Sequence, residues 1–163
     1  MAEKGISAKG LKKKILKVIK GSKLASLATI VNGKPWVRYV VSRSEGLTLY
    51  ICTFKDSRKV KQIRENPNVH ITIGGSMENM KAPYVQIAAC AKVRFDAGIR
   101  KRLWMPFMKK YYTGADDPQY VVIEVKPVWI EYVSTESHRP EGSGLASNSQ
   151  SHTPQIYKVG REK

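Results

Sequence analysis

Cysteine is nearly absent from this sequence of 163 residues: only Cys52 and Cys90 occur, each inside an alternating apolar segment rather than in a Cys-x-x-Cys pair. That spacing fits reduced, buried thiols in a cytosolic protein better than a disulfide framework or a zinc site. Histidine is as sparse, with His70, His138 and His152 scattered along the chain, so no metal cluster is proposed. No apolar run is long enough to span a bilayer, and the lysine-rich stretch after Glu3 and Lys4 holds no uninterrupted hydrophobic region, so a soluble, unsecreted cytoplasmic protein is expected. Internal repeats are also lacking. Carboxylates are outnumbered, 13 Asp and Glu against 29 Lys and Arg, for a net charge of +16. The surface potential therefore favours anionic partners: phosphates, nucleic acid, an acidic coenzyme or anionic lipid.

The length suits one domain, because two halves would each bury too little apolar surface. Residues 7–20 set Leu11, Ile15, Val18 and Ile19 on one face and lysines around the rest, the pattern of an amphipathic helix. From Leu24 the period becomes that of strands. Runs at 24–31, 35–43 and 47–53 flank the hairpin signal Asn32-Gly33 and a turn at 44–46, predicting a three-stranded antiparallel meander. A short helix is expected at 57–65, capped by Asp56 or Ser57 and ended by Asn66-Pro67. Strands follow at 69–74 and 84–95. Leu103, Trp104, Phe107, Met108 and Tyr111 predict a third helix over 98–112 that packs in the core or at a dimer contact. Strands at 119–125 and 128–133 close the ordered part, with Pro127 at a bend or edge. The fold class is α+β, mainly antiparallel strands closing towards a barrel that hides their edges. Residues 1–133 form the domain, and the Ser- and Gly-rich stretch 134–163 reads as a mobile tail, with Ile156 and Tyr157 as the side chains able to dock on a partner subunit.

The informative segment runs from 35 to 69. Strand 35–43, Pro-Trp-Val-Arg-Tyr-Val-Val-Ser-Arg, is followed by Thr53 and by Ser57-Arg58-Lys59 at a helix start, and then by Asn66-Pro67-Asn68-Val69. A helix N-terminus carrying a hydroxyl, an arginine and a lysine suits an anion, and a phosphate is its natural occupant. Arg38, in the middle of an apolar strand, needs a partner if it is buried.

These motifs resemble the pyridoxamine 5′-phosphate oxidase-like split β-barrels that bind FMN, and the resemblance covers about residues 20–133. It implies a homodimer with flavin at the subunit interface. It also implies that Arg38, Tyr39, Val40, Val41 and Arg43 contact the flavin, that Thr53 lies beside its ring, that Ser57, Arg58 and Lys59 hold its phosphate, and that Gln86 reaches it from a later strand. Trp36 and Trp129 are candidates to cover the flavin or to line the interface. The Arg-x-His signature with which the true oxidase holds its substrate phosphate is missing from 119–133 and from the tail, which argues against pyridoxine phosphate oxidation. The Tyr111-Tyr112 segment resembles instead the short general-stress and archaeal branch.

The function implied is an FMN-dependent oxidoreductase of unassigned substrate, with a nicotinamide or another electron donor as a further partner. No side chain is needed as a general base, because the cofactor carries the chemistry. Three alternatives stand beside it: a deazaflavin coenzyme, whose acidic tail matches the positive charge; a flavin-holding protein without turnover; and a basic nucleic-acid-binding domain that stacks bases on Trp36 and Tyr50.

Overall fold

The computed structural model describes residues 7–134 and 155–159. Helix α1 (Ala8–Gly21) begins where the Ser7 hydroxyl accepts a hydrogen bond from the Gly10 amide, and it buries Leu11, Ile15 and Ile19. Strands β1 (Leu24–Val31) and β2 (Lys34–Val41) form the expected hairpin. Its turn places Asn32 at φ 49° and Gly33 at φ 74°, the left-handed pair that an Asn-Gly turn supplies. Strands β3 (Arg43–Glu45) and β4 (Thr48–Phe54), helix α2 (Arg58–Glu65), and strands β5 (Asn68–Gly74) and β6 (Tyr84–Arg94) follow. Helix α3 (Ala97–Leu103), a 3₁₀ turn (Pro106–Lys110), β7 (Tyr120–Val133) and β8 (Gln155–Lys158) complete the order.

All eight strands join one antiparallel sheet in the order β2-β1-β5-β6-β7-β4-β3, with β8 added beside β7. The strands at the two ends of that order, β2 and β3, are consecutive in the chain with only Ser42 between them, so the sheet has to curl. Ser42 is buried at this corner, its amide donating to the Lys23 carbonyl at 2.8 Å. The corner overturns the meander expected over 24–53. Residues 35–43 divide between two sheet edges, and β4 pairs with β3 and β7.

Two apolar clusters fill the fold. The larger lies between the concave sheet face and helices α1 and α2, around Ile15, Leu27, Ile51, Ile71, Ile87 and Ile123. The smaller packs α3 and the 3₁₀ turn against the far side of β4 and β7 through Tyr50, Leu103, Met108, Tyr112 and Tyr120. The long helix expected over 98–112 breaks at Trp104 and Met105, because Pro106 disfavours helical backbone at the residue before it and brings no amide to bond backwards.

The strands expected at 119–125 and 128–133 are one strand. Its register against β6 shifts between Ala88 and Ala89, which face Trp129 and Pro127, and leaves Val128 as the extra residue of a bulge. That is where a central strand tolerates proline. Within the stretch expected as a tail, residues 155–158 pair with β7, and Tyr157 and Val159 pack on the larger core; residues 135–154 and 160–163 lie outside the described residues. Cys90 is exposed and Cys52 half-buried, a correction to the buried thiols expected, since alternation on a two-faced sheet turns one of each pair outward. Among the described residues no helix is long and apolar enough to cross a membrane, and no group of His, Cys, Asp and Glu could hold a metal ion.

Candidate functional site

The barrel corner opens a cleft of ≈ 880 Å³ between β2, β3 and β4 on one side and the 3₁₀ turn on the other, a volume in the range of small-molecule sites. Aromatic and thioether side chains dominate its walls, among them Tyr39, Tyr50, Phe54, Met105, Phe107 and Tyr112. Its charged lining is Lys20, Lys23, Arg43 and Lys59, with no carboxylate. Burial pushes the Cys52 thiol up from its ordinary value, and burial with nearby Cys52 and Asp117 pushes the Tyr112 phenol up to about 12. Both groups stay protonated at neutral pH, so they can donate hydrogen bonds and do not serve as bases.

The α2 end of the cleft brings Lys59 close to Arg38, which in turn lies close to Arg58. Lys59 Nζ donates to Thr53 Oγ1 at 3.0 Å, and Thr53 Oγ1 lies 3.4 Å from Ser57 Oγ. Ser57 is the N-cap residue of α2, yet its side chain makes no capping bond. The Arg58 guanidinium lies 5.7 Å from the centre of the Trp36 ring. Behind them Arg38 Nη1 donates to the Leu27 carbonyl at 3.2 Å and to Thr29 Oγ1 at 2.7 Å, and Nη2 donates to Gln62 Oε1 at 2.6 Å. The Thr29 hydroxyl closes this network by donating to Gln62 Oε1 at 2.7 Å. Burial, then the charge of Arg58, lowers the Arg38 pKa; burial, then the charge of Arg38, lowers that of Lys59. Among the described residues none of the three cations forms an ion pair with a carboxylate.

Of the residues singled out in the sequence, Tyr39, Val40, Val41, Arg43, Thr53 and Lys59 line the cleft. Ser57 adjoins it through Thr53, while Arg58, the next residue before Lys59, lies over the Trp36 ring outside the lining. Arg38 sits behind the wall, inside its own network. Gln86 is apart: it lies on the convex face of the sheet, opposite Thr72 on β5 and Glu131 on β7. Sequence reasoning missed Thr29 and Gln62, the partners of Arg38, and it read the 98–112 aromatics as packing alone, although Phe107 and Tyr111 also line the cleft.

The family model for pyridoxamine 5′-phosphate oxidase matches residues 11–134. The chain belongs to this family. It is 35% identical over 130 residues to General stress protein 26 of Bacillus subtilis strain 168, covering 80% of this chain and 93% of that one. The crystal structure of General Stress Protein 26 from Bacillus anthracis str. Sterne superposes with a TM-score of 0.71 at 26% identity, over 91% of this chain and 98% of that chain. A FAD-binding protein from Mesorhizobium loti shares the fold at 15% identity and a TM-score of 0.60, over 72% of this chain and 88% of that chain. The split barrel of the family thus accounts for the curled antiparallel sheet and its corner cleft.

Proposed function

We propose that this chain binds a phosphate-bearing flavin, FMN, in the corner cleft and works as a flavin-dependent oxidoreductase. The observation that carries the reading is Lys59, a half-buried cation whose one hydrogen-bond partner among the described residues is a neutral hydroxyl, beside Arg58 and the α2 N-terminus. Cations held together without carboxylates repel one another, and a phosphate dianion relieves that repulsion while accepting their hydrogen bonds. The donor set fits the group. Lys59, Arg58 and the Ser57 and Thr53 hydroxyls would hold the phosphate, and the aromatic walls suit a planar ring. When bound, the flavin supplies hydride or electron transfer at its ring. The FAD-binding relative of the same fold supports a flavin over an unrelated anion.

The assembly proposed with this reading is a homodimer. Leu24, Val37, Tyr39 and Val41 are exposed on one face of adjacent strands, and a contiguous apolar row of that kind marks an interaction surface. Tyr39 and Val41 also border the cleft, so a second copy on this face would complete the site and could bring its own convex-face residues, such as Gln86, to the flavin.

A second reading is favoured by Lys20, Lys23 and Arg43, which add three cations to the cleft beyond those that one phosphate requires. They suit a second anionic group, either on the substrate or on the acidic tail of a deazaflavin coenzyme. An absorption spectrum of the purified protein, titrated with FMN, tests both. Flavin bands that appear in the wild-type chain and are lost in the Arg58→Ala, Lys59→Ala double variant support FMN. A single deazaflavin band supports the second reading, and a chain that binds neither overturns both.

A further inference from the structure

We propose that the lysine face of α1 docks on the phosphate backbone of a nucleic acid. Residues 4–44 contain nine lysines and two arginines and not one carboxylate. Six of those lysines, at positions 9, 12, 13, 14, 17 and 20, are exposed on α1. Lys14 is engaged over the Tyr132 ring, 5.8 Å from its centre. At 100° per residue the other five fall within an arc of about 140°, and the eleven steps from Lys9 to Lys20 rise about 16 Å along the helix. None of them forms an ion pair among the described residues.

The helix cannot reorient these charges freely, because Leu11, Ile15 and Ile19 fix its opposite face in the core. A rigid row of unpaired cations about 16 Å long matches roughly five phosphates of a duplex strand at 3.4 Å each. Burial of the apolar stripe also decides between polyanions. A helix that docks on lipid keeps its apolar face free to enter the bilayer, whereas on the exposed arc of α1 the single apolar side chain, Leu16, is itself half-buried. The neighbouring loop exposes Met77 and Met80, but Glu78 stands between them and would be repelled by an anionic bilayer.

Of this row only Lys20 reaches the cleft lining, and the lysines substituted below lie outside it, so the test does not depend on flavin binding. The full-length protein is titrated against a labelled mixed-sequence duplex of about 24 base pairs, at roughly 50 to 200 mM salt, and followed by anisotropy. The expected log-log slope of affinity against salt is about −4, near −0.9 for each phosphate neutralised. The Lys12→Gln, Lys13→Gln, Lys17→Gln variant keeps the wild-type circular dichroism. It should bind at least about 10-fold more weakly at the lowest salt, with a slope smaller by roughly 2 to 3 units. Phosphatidylserine-containing vesicles are the competing surface. Absence of duplex binding at low salt, duplex binding unchanged by the triple substitution, or tighter binding to the vesicles than to the duplex overturns the proposal.

Discussion

Two halves of one cationic cluster are treated differently by this fold. At the junction of the β1–β2 hairpin with α2, Arg38 donates to Leu27, Thr29 and Gln62, which close around it inside the protein. At the neighbouring β4–α2 turn, Lys59 has among the described residues only the Thr53 hydroxyl as hydrogen-bond partner, and the Ser57 side chain leaves its own helix uncapped. A network that is complete without ligand stabilises structure; one that is left under-coordinated stores affinity for whatever completes it. On the proposed reading Arg38 would act mainly in stability and Lys59 mainly in binding, although the two are close enough for the charge of Arg38 to lower the Lys59 pKa.

A crossed pair of substitutions breaks this contrast if it is wrong. Lys59→Met removes a charge-assisted bond to phosphate and a source of repulsion, so FMN affinity should fall about 100-fold, near 2.7 kcal/mol, while the melting temperature of the flavin-free protein holds or rises. Arg38→Ala leaves Thr29 and Gln62 short of a donor in a part-buried setting. It should lower stability by about 2 kcal/mol, or roughly 4–8 °C in melting temperature, with a smaller loss of affinity once the data are compared below the transition. Thermal melts and FMN titrations of both variants decide the matter. The contrast fails if Arg38→Ala melts like wild type or if Lys59→Met binds FMN normally.

The division between these residues explains why one was legible in the sequence and the other was not. Ser57-Arg58-Lys59 sits at a helix start signalled locally by Asp56 and ended by Asn66-Pro67, so the helix start and the proposed anion site on it could be read from neighbours alone. Arg38 announced only that it needed a partner; one partner is Thr29 across the hairpin, and the other, Gln62, sits on a helix 24 positions later that reaches it only when α2 packs against β1. The Asn32-Gly33 turn was legible because left-handed backbone narrows the residue choice. The corner at Ser42 was not, because no glycine or proline marks it and the Ser42 amide bonds to the Lys23 carbonyl, far back in the sequence. Pro106 did carry a visible signal against the 98–112 helix, which the strong aromatic spacing around it masked. Strand β8 is four residues long, too short to form without the β7 edge it joins.

Thr53 joins the two halves of the binding end and sharpens the comparison at a smaller scale. Its hydroxyl accepts from Lys59 and sits 3.4 Å from Ser57 Oγ. Thr53→Val keeps the shape and the β-branch, and removes the acceptor that orients the ammonium. A loss of about 1 kcal/mol in FMN affinity, or roughly 5-fold, is expected with little change in melting temperature. An isothermal titration showing wild-type affinity would make Thr53 a strand residue only.

The smallest effect is the pH dependence, and its sign separates a ligand-seeking lysine from a solvated one. Burial, and next the charge of Arg38, hold Lys59 below its ordinary value of 10.5 in the folded, flavin-free chain. Between that lowered value and 10.5 the unfolded chain binds more protons at this residue than the folded chain does, so its contribution makes stability rise with pH across the window. A bound phosphate reverses the bias by favouring the charged ammonium. FMN affinity should therefore fall several-fold as pH climbs through the lowered pKa, with proton uptake on binding in that range. Lys59→Arg stays charged throughout the window and should flatten the profile while retaining affinity. Calorimetric titrations in two buffers of different ionisation enthalpy count the protons directly. No uptake by wild type, or equal uptake by wild type and Lys59→Arg, would place the phosphate away from Lys59.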